Sequence, residues 1–143
     1  MAMRQELVIS TSDAEVLASM LEDFRHVPAA GTAAEALAGI IGEARMVPHE
    51  SLPADRVAMN SLVSYEEEPG AVRRRVTLAY PTEADAGAGR VSVLSPVGLA
   101  LLGRAEGEVV APETPGKPLR IRILSTEKPL QPGDAQPPPR ALR

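Results

Sequence analysis

The side chains that could carry out chemistry are few in this sequence of 143 residues. Its two histidines, His26 and His49, have no second ligand at a metal-binding spacing such as H-x-x-x-H, and it contains no cysteine. Its serines lie outside the G-x-S-x-G setting of a nucleophile, and no glycine-rich phosphate-binding motif occurs. We therefore predict no catalytic residue, no metal site and no cofactor, and we expect a protein that is not an enzyme.

A small group of acidic residues is the remaining candidate. Glu22 and Asp23 lie near the end of the first predicted helix, Glu35 lies near the start of the second, and His26 lies between the two helices. Carboxylates at a projecting tip can hold Mg²⁺ through their oxygen atoms. A solvated helix face explains these residues more simply, so we treat Glu22, Asp23, His26 and Glu35 as the tip of a helical hairpin and not as a metal site.

Composition narrows the class of protein further. The formal net charge of −4 provides no basic field that would draw the chain to nucleic acid or to an anionic membrane. No apolar run approaches the roughly 20 residues that span a bilayer, and the first residues lack the apolar core of a secretory signal. We therefore expect a cytoplasmic monomer that does not contact membranes and meets DNA only through another protein.

Helical periodicity marks two segments, roughly 13–26 and 33–46, in which apolar residues recur at i, i+3, i+4 and i+7. These residues are Leu17, Met20, Leu21 and Phe24 in the first segment and Leu37, Ile40, Ile41 and Ala44 in the second. Ser12 followed by Glu15 has the pattern of a capping box and predicts the start of the first helix. A short break containing a proline and a glycine separates the segments, which predicts an antiparallel helical hairpin within residues 1–50. Gly39 and Gly42 suggest that the two backbones approach closely.

Strand patterns follow the hairpin. Alternating residues predict strands near 57–65, 72–80, 90–93, 108–111 and 119–123. A turn at 66–70 sets the glutamates of residues 66–68 near the arginines of residues 73–75, and mutual pairing in solvent accounts for both charge runs. We predict an α+β fold, with an antiparallel sheet and one short helix over residues 51–127. The proline-rich residues 128–143 are expected to be a disordered tail.

One stretch, residues 90–110, forms the centre of this organisation. Ser95 can cap a helix that starts at Pro96, and Gly103 offers the left-handed residue that ends it. Gly107 makes the next turn before a second strand. No catalytic group lies in the stretch, so from its residues alone it is part of the scaffold.

The sequence of this stretch resembles the C-terminal signature of the bacterial GreA/GreB transcription elongation factors. The shared pattern is Ser-Pro-Val-Gly-x-Ala-Leu-Leu-Gly-x-x-x-Gly-Glu-x-Val. The chain is more similar still to the shorter, Rnk-type regulators of nucleoside diphosphate kinase in this family. Two further motifs share that similarity: Val57-x-Met-Asn-Ser-x-Val63 and Arg75-Val-Thr-Leu-x-Tyr-Pro81. The resemblance implies a C-terminal domain similar in fold to FK506-binding proteins, preceded by an antiparallel coiled coil.

The resemblance also implies a partner, RNA polymerase, on which these factors dock beside the secondary channel. The family's docking turn matches Leu94, Ser95 and Pro96, followed by Val97. Gre coiled coils end in an acidic pair that supplies a ligand to a second Mg²⁺ and are several times longer than the first helix predicted here, which spans roughly 20 Å. We therefore expect a polymerase-binding regulator that competes with Gre factors without stimulating transcript cleavage.

Two alternatives follow from the same resemblance. The protein could change the level or activity of nucleoside diphosphate kinase by another route. It could also be a prolyl isomerase, as the similarity to FK506-binding proteins suggests. That activity needs an aromatic-lined pocket, and the aromatic residues here are only Phe24, Tyr65 and Tyr80.

Overall fold

A computed structural model describes residues 6–24, 31–68, 70–112 and 119–128 of the chain. A helical hairpin comes first and a sheet with one short helix follows, as predicted for an α+β fold. The elements are β1 (Val8–Ser10), α1 (Thr11–Phe24), α2 (Gly31–Glu43), β2 (Arg45–Val47), β3 (Leu62–Glu68), β4 (Val72–Ala79), β5 (Arg90–Ser92), α3 (Pro96–Leu101), β6 (Val109–Val110) and β7 (Arg120–Glu127). None of the described helices has both the length and the apolar character needed to cross a bilayer.

The main sheet has the strand order β5-β4-β3-β7-β6. The central strand β3 pairs antiparallel with β4 and β7, and β6 pairs antiparallel with β7. The predicted antiparallel sheet is confirmed except at one edge, where β5 runs parallel to β4. The connection between them contains two short 3₁₀ turns, Pro81–Glu83 and Ala86–Ala88, and brings the chain back alongside the last residues of β4, with Arg90 opposite Thr77.

Strand boundaries also differ from the sequence pattern. Residues 57–61 form a turn before β3, in which Asn60 adopts a left-handed backbone with φ of 68°. This turn still joins the sheet, because the Leu78 N–H donates to the Ser61 carbonyl over 3.0 Å. At the other end of the chain, β7 extends to Glu127 and carries a bulge opposite Ser64 and Tyr65. Lys128, the first residue of the predicted tail, donates to the Leu52 carbonyl over 2.7 Å, and residues 129–143 lie outside the described part.

The hairpin and the sheet share one hydrophobic core. Leu17 of α1 and Leu37 of α2 are both 0% exposed and belong to the same cluster as the buried residues of the sheet and of α3. Met20, Leu21, Ile40, Ile41 and Ala44 are partly buried against this cluster, which confirms both predicted apolar stripes; the Phe24 side chain lies outside the described part. The base of the hairpin is therefore fixed to the body of the molecule.

The start of the first helix lies earlier than the sequence suggested. Helix α1 begins at Thr11, and the Ser10 hydroxyl accepts a hydrogen bond of 3.1 Å from the Asp13 N–H. Ser10 thus caps the helix, and the capping box that we predicted from Ser12 and Glu15 is wrong. The cause is β1, which brings Ser10 into a buried position at the helix entrance.

The second helix ends at Glu43, three residues before the predicted end, because the chain turns into β2. This short strand pairs parallel with β1, with Arg45 opposite Val8. Gly39 and Gly42 are exposed, and a methyl group added at either position would have no atom within 4 Å. The close approach of helix backbones that we predicted at these glycines is therefore wrong.

Candidate functional site

The predicted docking turn, residues 94–97, connects β5 to α3. Its entrance is held by the backbone, because the Val93 N–H donates to the Ala79 carbonyl over 2.9 Å and Val93 is fully buried. The Ser92 hydroxyl accepts a hydrogen bond of 3.0 Å from the Leu94 N–H. Leu94 and Val97 are half-buried and pack against the core, whereas Pro96 is exposed. The turn therefore presents a proline on a firmly supported backbone.

Ser95 is engaged within the molecule. Its hydroxyl donates to the Ser92 carbonyl over 2.6 Å and accepts from the Gly98 N–H over 3.1 Å. The second bond satisfies an N–H group of the first turn of α3, as the sequence predicted for an N-cap, and Pro96 follows at the first helical position. Of the four predicted docking residues, Ser95 shapes the turn and Pro96 faces outward.

Gly98 explains why the signature requires glycine inside a helix. A Cβ atom at this position would lie 2.1 Å from the Ser92 carbonyl oxygen and 2.8 Å from the Val93 Cα. No side chain fits there without moving the backbone. The glycine lets α3 pack directly on the end of β5, and this close packing sets where the docking turn lies.

The rest of the signature joins α3 to neighbouring segments. Gly103 has φ of 78°, and its N–H donates to the Val57 carbonyl over 3.0 Å while its carbonyl accepts from the Val8 N–H over 3.2 Å. Glu108 is paired with Arg104 over 2.7 Å, with side chains that are 10% and 13% exposed. These contacts attach the segment after the docking turn to β1 and to the turn before β3.

The predicted hairpin tip is exposed where the structure describes it. Glu22 and Asp23 are exposed at the end of α1, and Glu35 is exposed in the first half of α2. His26 lies outside the described residues, as does the rest of the connection at 25–30. Among the residues that the structure describes, no three His, Cys, Asp or Glu side chains come together as a metal site would require. The tip therefore remains a predicted contact surface without observed geometry at its end.

A junction that sequence reasoning missed connects the hairpin to the body. The Asp13 carboxylate in the first turn of α1 accepts a hydrogen bond of 3.1 Å from the Met59 N–H. Burial raises the pKa of the Asp13 carboxyl above its ordinary value of 3.8, while the bond from Met59, the charge of His49 and the Ser10 hydroxyl act in the opposite direction. The only sequence signal for this junction was the family motif that contains Met59, Asn60 and Ser61. None of these residues performs chemistry, so the motif indicated a structural contact.

Two aromatic residues, Tyr65 and Tyr80, have described side chains, and both are at least half-buried. Tyr65 is only 3% exposed within the core. Tyr80 is half-buried, and burial, followed by the charges of Asp13 and Glu83, raises its pKa to about 12, so the phenol keeps its proton at neutral pH.

Comparison with known proteins agrees with this geometry. A sequence model of the family described as "Transcription elongation factor, GreA/GreB, C-term" matches residues 52–128, which include both the Met59 turn and the docking turn. The chain belongs to the GreA/GreB family. This assignment confirms the resemblance that the signature and its two companion motifs indicated.

Individual relatives of the family fall into two kinds. The regulator of nucleoside diphosphate kinase of Escherichia coli K12 is 37% identical over 114 residues, which cover 79% of this chain and 82% of that protein. The transcription elongation factor GreA of Nitratidesulfovibrio vulgaris is 38% identical over 76 residues, which cover 53% of this chain and 48% of the factor. The chain thus spans about half the length of the GreA relative. Among solved structures, a GreA/GreB elongation factor from Nitrosomonas europaea matches with a TM-score of 0.73 and 35% identity, covering 86% of this chain and 100% of that one.

Proposed function

We propose that this GreA/GreB family member is a cytoplasmic transcription regulator that binds RNA polymerase near the secondary channel. The body, residues 51–127, docks through Leu94, Ser95, Pro96 and Val97. The hairpin, residues 1–50, occupies the mouth of the channel. In this position the protein competes with Gre factors without stimulating transcript cleavage, and it meets DNA only through the polymerase.

The docking half of the proposal is supported by the rigidity of the turn. Ser95 and Gly98 fix the backbone on both sides of Pro96, so the exposed proline needs little ordering when a partner binds. Leu94 and Val97 contribute apolar surface that is already partly covered by the core. A pre-formed turn of this kind suits binding to a fixed feature on a large enzyme.

The length of the hairpin is the observation that carries the proposal. Helix α1 has 14 residues and α2 has 13, which at 1.5 Å per residue gives lengths of about 21 and 20 Å. Leu17 and Leu37 are buried in the shared core, so only part of this length extends beyond the body. Two-metal phosphoryl chemistry requires a carboxylate within coordination distance of the catalytic ions. A hairpin this short can block the channel mouth, but Glu22 and Asp23 fall short of the catalytic centre.

Transcript cleavage on stalled elongation complexes tests the absence of stimulation. We expect the wild-type protein to leave cleavage at its intrinsic rate and to slow cleavage when it is added together with a Gre factor. The variant Glu22→Ala/Asp23→Ala should behave in the same way. Strong stimulation by the wild type that disappears in this variant would overturn the proposal.

Binding to core RNA polymerase tests the docking assignment. We expect Pro96→Ala to weaken binding, and Leu94→Ala to weaken it further because apolar contact area is also lost. Pro53→Ala is the matched control, since Pro53 is an exposed proline in another loop. Equal binding by the Pro96 and Pro53 variants would remove the docking turn from the proposal.

The name of the Escherichia coli relative favours a second candidate. That relative is a regulator of nucleoside diphosphate kinase and matches this chain over 82% of its length, so direct contact with the kinase is an alternative. Purified kinase and core polymerase offered separately to the immobilised protein distinguish the two. The proposal above expects binding of the polymerase and none of the kinase.

A further inference from the structure

Strands β4 and β7 carry four arginines on the outer face of the main sheet, and we call this surface the arginine face. Side chains on the opposite face, such as Val63, Val76 and Ile123, are buried in the core. Because successive residues of a strand point to opposite sides, the neighbours of these residues lie on the outer side. The arginine face consists of Arg73 and Arg75 on β4 and Arg120 and Arg122 on β7, all exposed, with β3 between them.

Two of the four arginines are neutralised by glutamates of β3. The Arg73 Nε lies 3.3 Å from a carboxylate oxygen of Glu66, its direct cross-strand neighbour. Arg122 also lies opposite Glu66, but its guanidinium reaches diagonally to Glu68 over 3.1 Å. The prediction that glutamates and arginines pair across this hairpin is thus confirmed for Arg73 and, on the other side of the strands, for Arg74, which pairs with Glu67 over 2.7 Å. Glu68 pairs instead with the last strand.

The other two arginines are left without an acidic partner. Arg120 lies opposite Glu68, whose carboxylate is bound by Arg122. Arg75 lies opposite Ser64, and Ser64 lies opposite Ser125 on the far strand. Within the described part of the chain, no hydrogen bond or ion pair involves the side chains of Arg75, Arg120, Ser64 or Ser125. Arg75 therefore lies beside two hydroxyl groups without partners, and Arg120 is a second unpaired cation on the same face. Both cations are exposed on a chain whose net charge is −4.

The spacing of the two unpaired cations fits an extended peptide. Arg75 and Arg120 are two strands apart across the sheet and four residues apart along β3, measured from Ser64 to Glu68. Strand spacings of about 4.8 Å and rises of about 3.3 Å per residue place their Cα atoms about 16 Å apart. On an extended segment, carboxylates four or six residues apart share one face, with Cα atoms about 13 or 20 Å apart, and the long arginine side chains can cover the difference from about 16 Å.

We propose that the arginine face binds an acidic segment of a partner protein, with carboxylates paired to Arg75 and Arg120. A guanidinium fork matches the geometry of a carboxylate, and the hydroxyls of Ser64 and Ser125 can donate to the same group as Arg75. Leu124, which is 36% exposed at the bulge beside Ser125, adds the apolar contact typical of a protein interface. This site is separate from the docking turn and does not depend on polymerase binding.

A nucleic acid suits the same face less well. Glu66 and Glu68 run along the middle strand between the arginines, where they would oppose a continuous row of phosphates. Tyr65 points to the core side and is buried, so it offers no ring for stacking bases, as single-stranded nucleic acids require. Discrete carboxylates can pair with the two free arginines and avoid the glutamates.

Fluorescence anisotropy at low ionic strength tests the proposal directly. The probes are a short labelled peptide of alternating Glu and Thr, the same peptide with Gln in place of Glu, and labelled oligouridine. We expect the full chain to bind the Glu peptide and not the Gln peptide. Binding should weaken about threefold in Arg75→Gln and about tenfold in Arg75→Gln/Arg120→Gln, because each exposed ion pair contributes modestly.

Arg45→Gln is the matched control. Arg45 has a side chain that is 65% exposed on β2, and its loss removes the same charge away from the arginine face. We expect this variant to bind the Glu peptide like the wild type. Equal weakening by Arg45→Gln, failure of the Glu peptide to bind, or tighter arginine-dependent binding of oligouridine would each overturn the proposal.

Discussion

The docking turn and the helical hairpin use glycine in opposite ways. In the turn, a Cβ on Gly98 would lie 2.1 Å from the Ser92 carbonyl oxygen, so only glycine lets α3 contact the end of β5. In the hairpin, a Cβ on Gly42 would have no atom within 4 Å, and the glycine only weakens its helix. The difference indicates that close backbone packing fixes the docking turn, whereas Gly42 lies on an open face of α2.

The substitution Gly98→Ala tests the close packing of the docking turn and should have the largest effect. We expect the free energy of unfolding to fall by at least about 3 kcal/mol, because the new methyl group must displace backbone atoms. Urea denaturation followed by circular dichroism measures the loss. A change below about 1 kcal/mol would mean that the turn can rearrange freely, contrary to a rigid docking surface.

The next largest effect should come from the base of the hairpin. Leu37→Ala removes a side chain that is 0% exposed in the shared core, and it should cost about 2–3 kcal/mol. Val16→Ala on α1 is the control, because Val16 is 51% exposed and should cost less than about 0.5 kcal/mol. Similar losses in both variants, measured by the same denaturation, would show that the hairpin does not pack on the body.

The junction between the two regions should have an intermediate effect. Asp13→Ala leaves the Met59 N–H without its acceptor and should lower the free energy of unfolding by about 1–2 kcal/mol. Asp23→Ala, which removes an exposed carboxylate from the same helix, should change it by less than about 0.5 kcal/mol. If the two variants unfold alike, the contact to Met59 does not stabilise the junction.

The pKa of Asp13 also predicts a pH dependence. Because burial raises this pKa above 3.8, the folded state holds the proton more tightly than the unfolded state. The contribution of Asp13 to stability should therefore grow as the pH falls through its folded-state pKa, and it should be lost again as the pH rises. Asp13→Asn removes this titration. The stability of the wild type relative to Asp13→Asn should increase on acidification toward about pH 4; a decrease would contradict the assigned direction.

The smallest expected effect is that of Gly42→Ala, which tests whether the glycine of α2 has a packing role. Gly42→Ala places a methyl group in open space on α2 and should raise the free energy of unfolding by about 0.5–1 kcal/mol through helix propensity. Thermal unfolding measures the gain as a higher Tm. A loss of stability would show that this position is as closely packed as Gly98.

The sequence predicted those features that depend on local spacing. The apolar stripes of both helices, the cap at Ser95 and the left-handed Gly103 follow from periodicity and turn chemistry, and the structure confirms each of them. The family assignment was also available, because the residues of the signature are the ones that pack α3 onto its surroundings.

Features that depend on distant contacts were not predictable in this way. Ser10 was missed as a helix cap because its position is set by β1, which pairs with a strand more than 30 residues later. The hydrogen bond between Asp13 and Met59 joins residues 46 positions apart, and no local pattern marks it. The parallel pairing of β5 likewise depends on the path of the preceding loop. Gly39 and Gly42 show the opposite error, because we predicted a packing role for two glycines that are in fact exposed.

Displacement of a labelled full-length GreA factor from core RNA polymerase tests the proposed function most directly. The account predicts that the wild-type protein displaces GreA in a saturable titration, that Pro96→Ala needs a higher concentration to do so, and that Glu22→Ala/Asp23→Ala is unchanged. Failure of the folded wild-type protein to displace GreA at any concentration would contradict it.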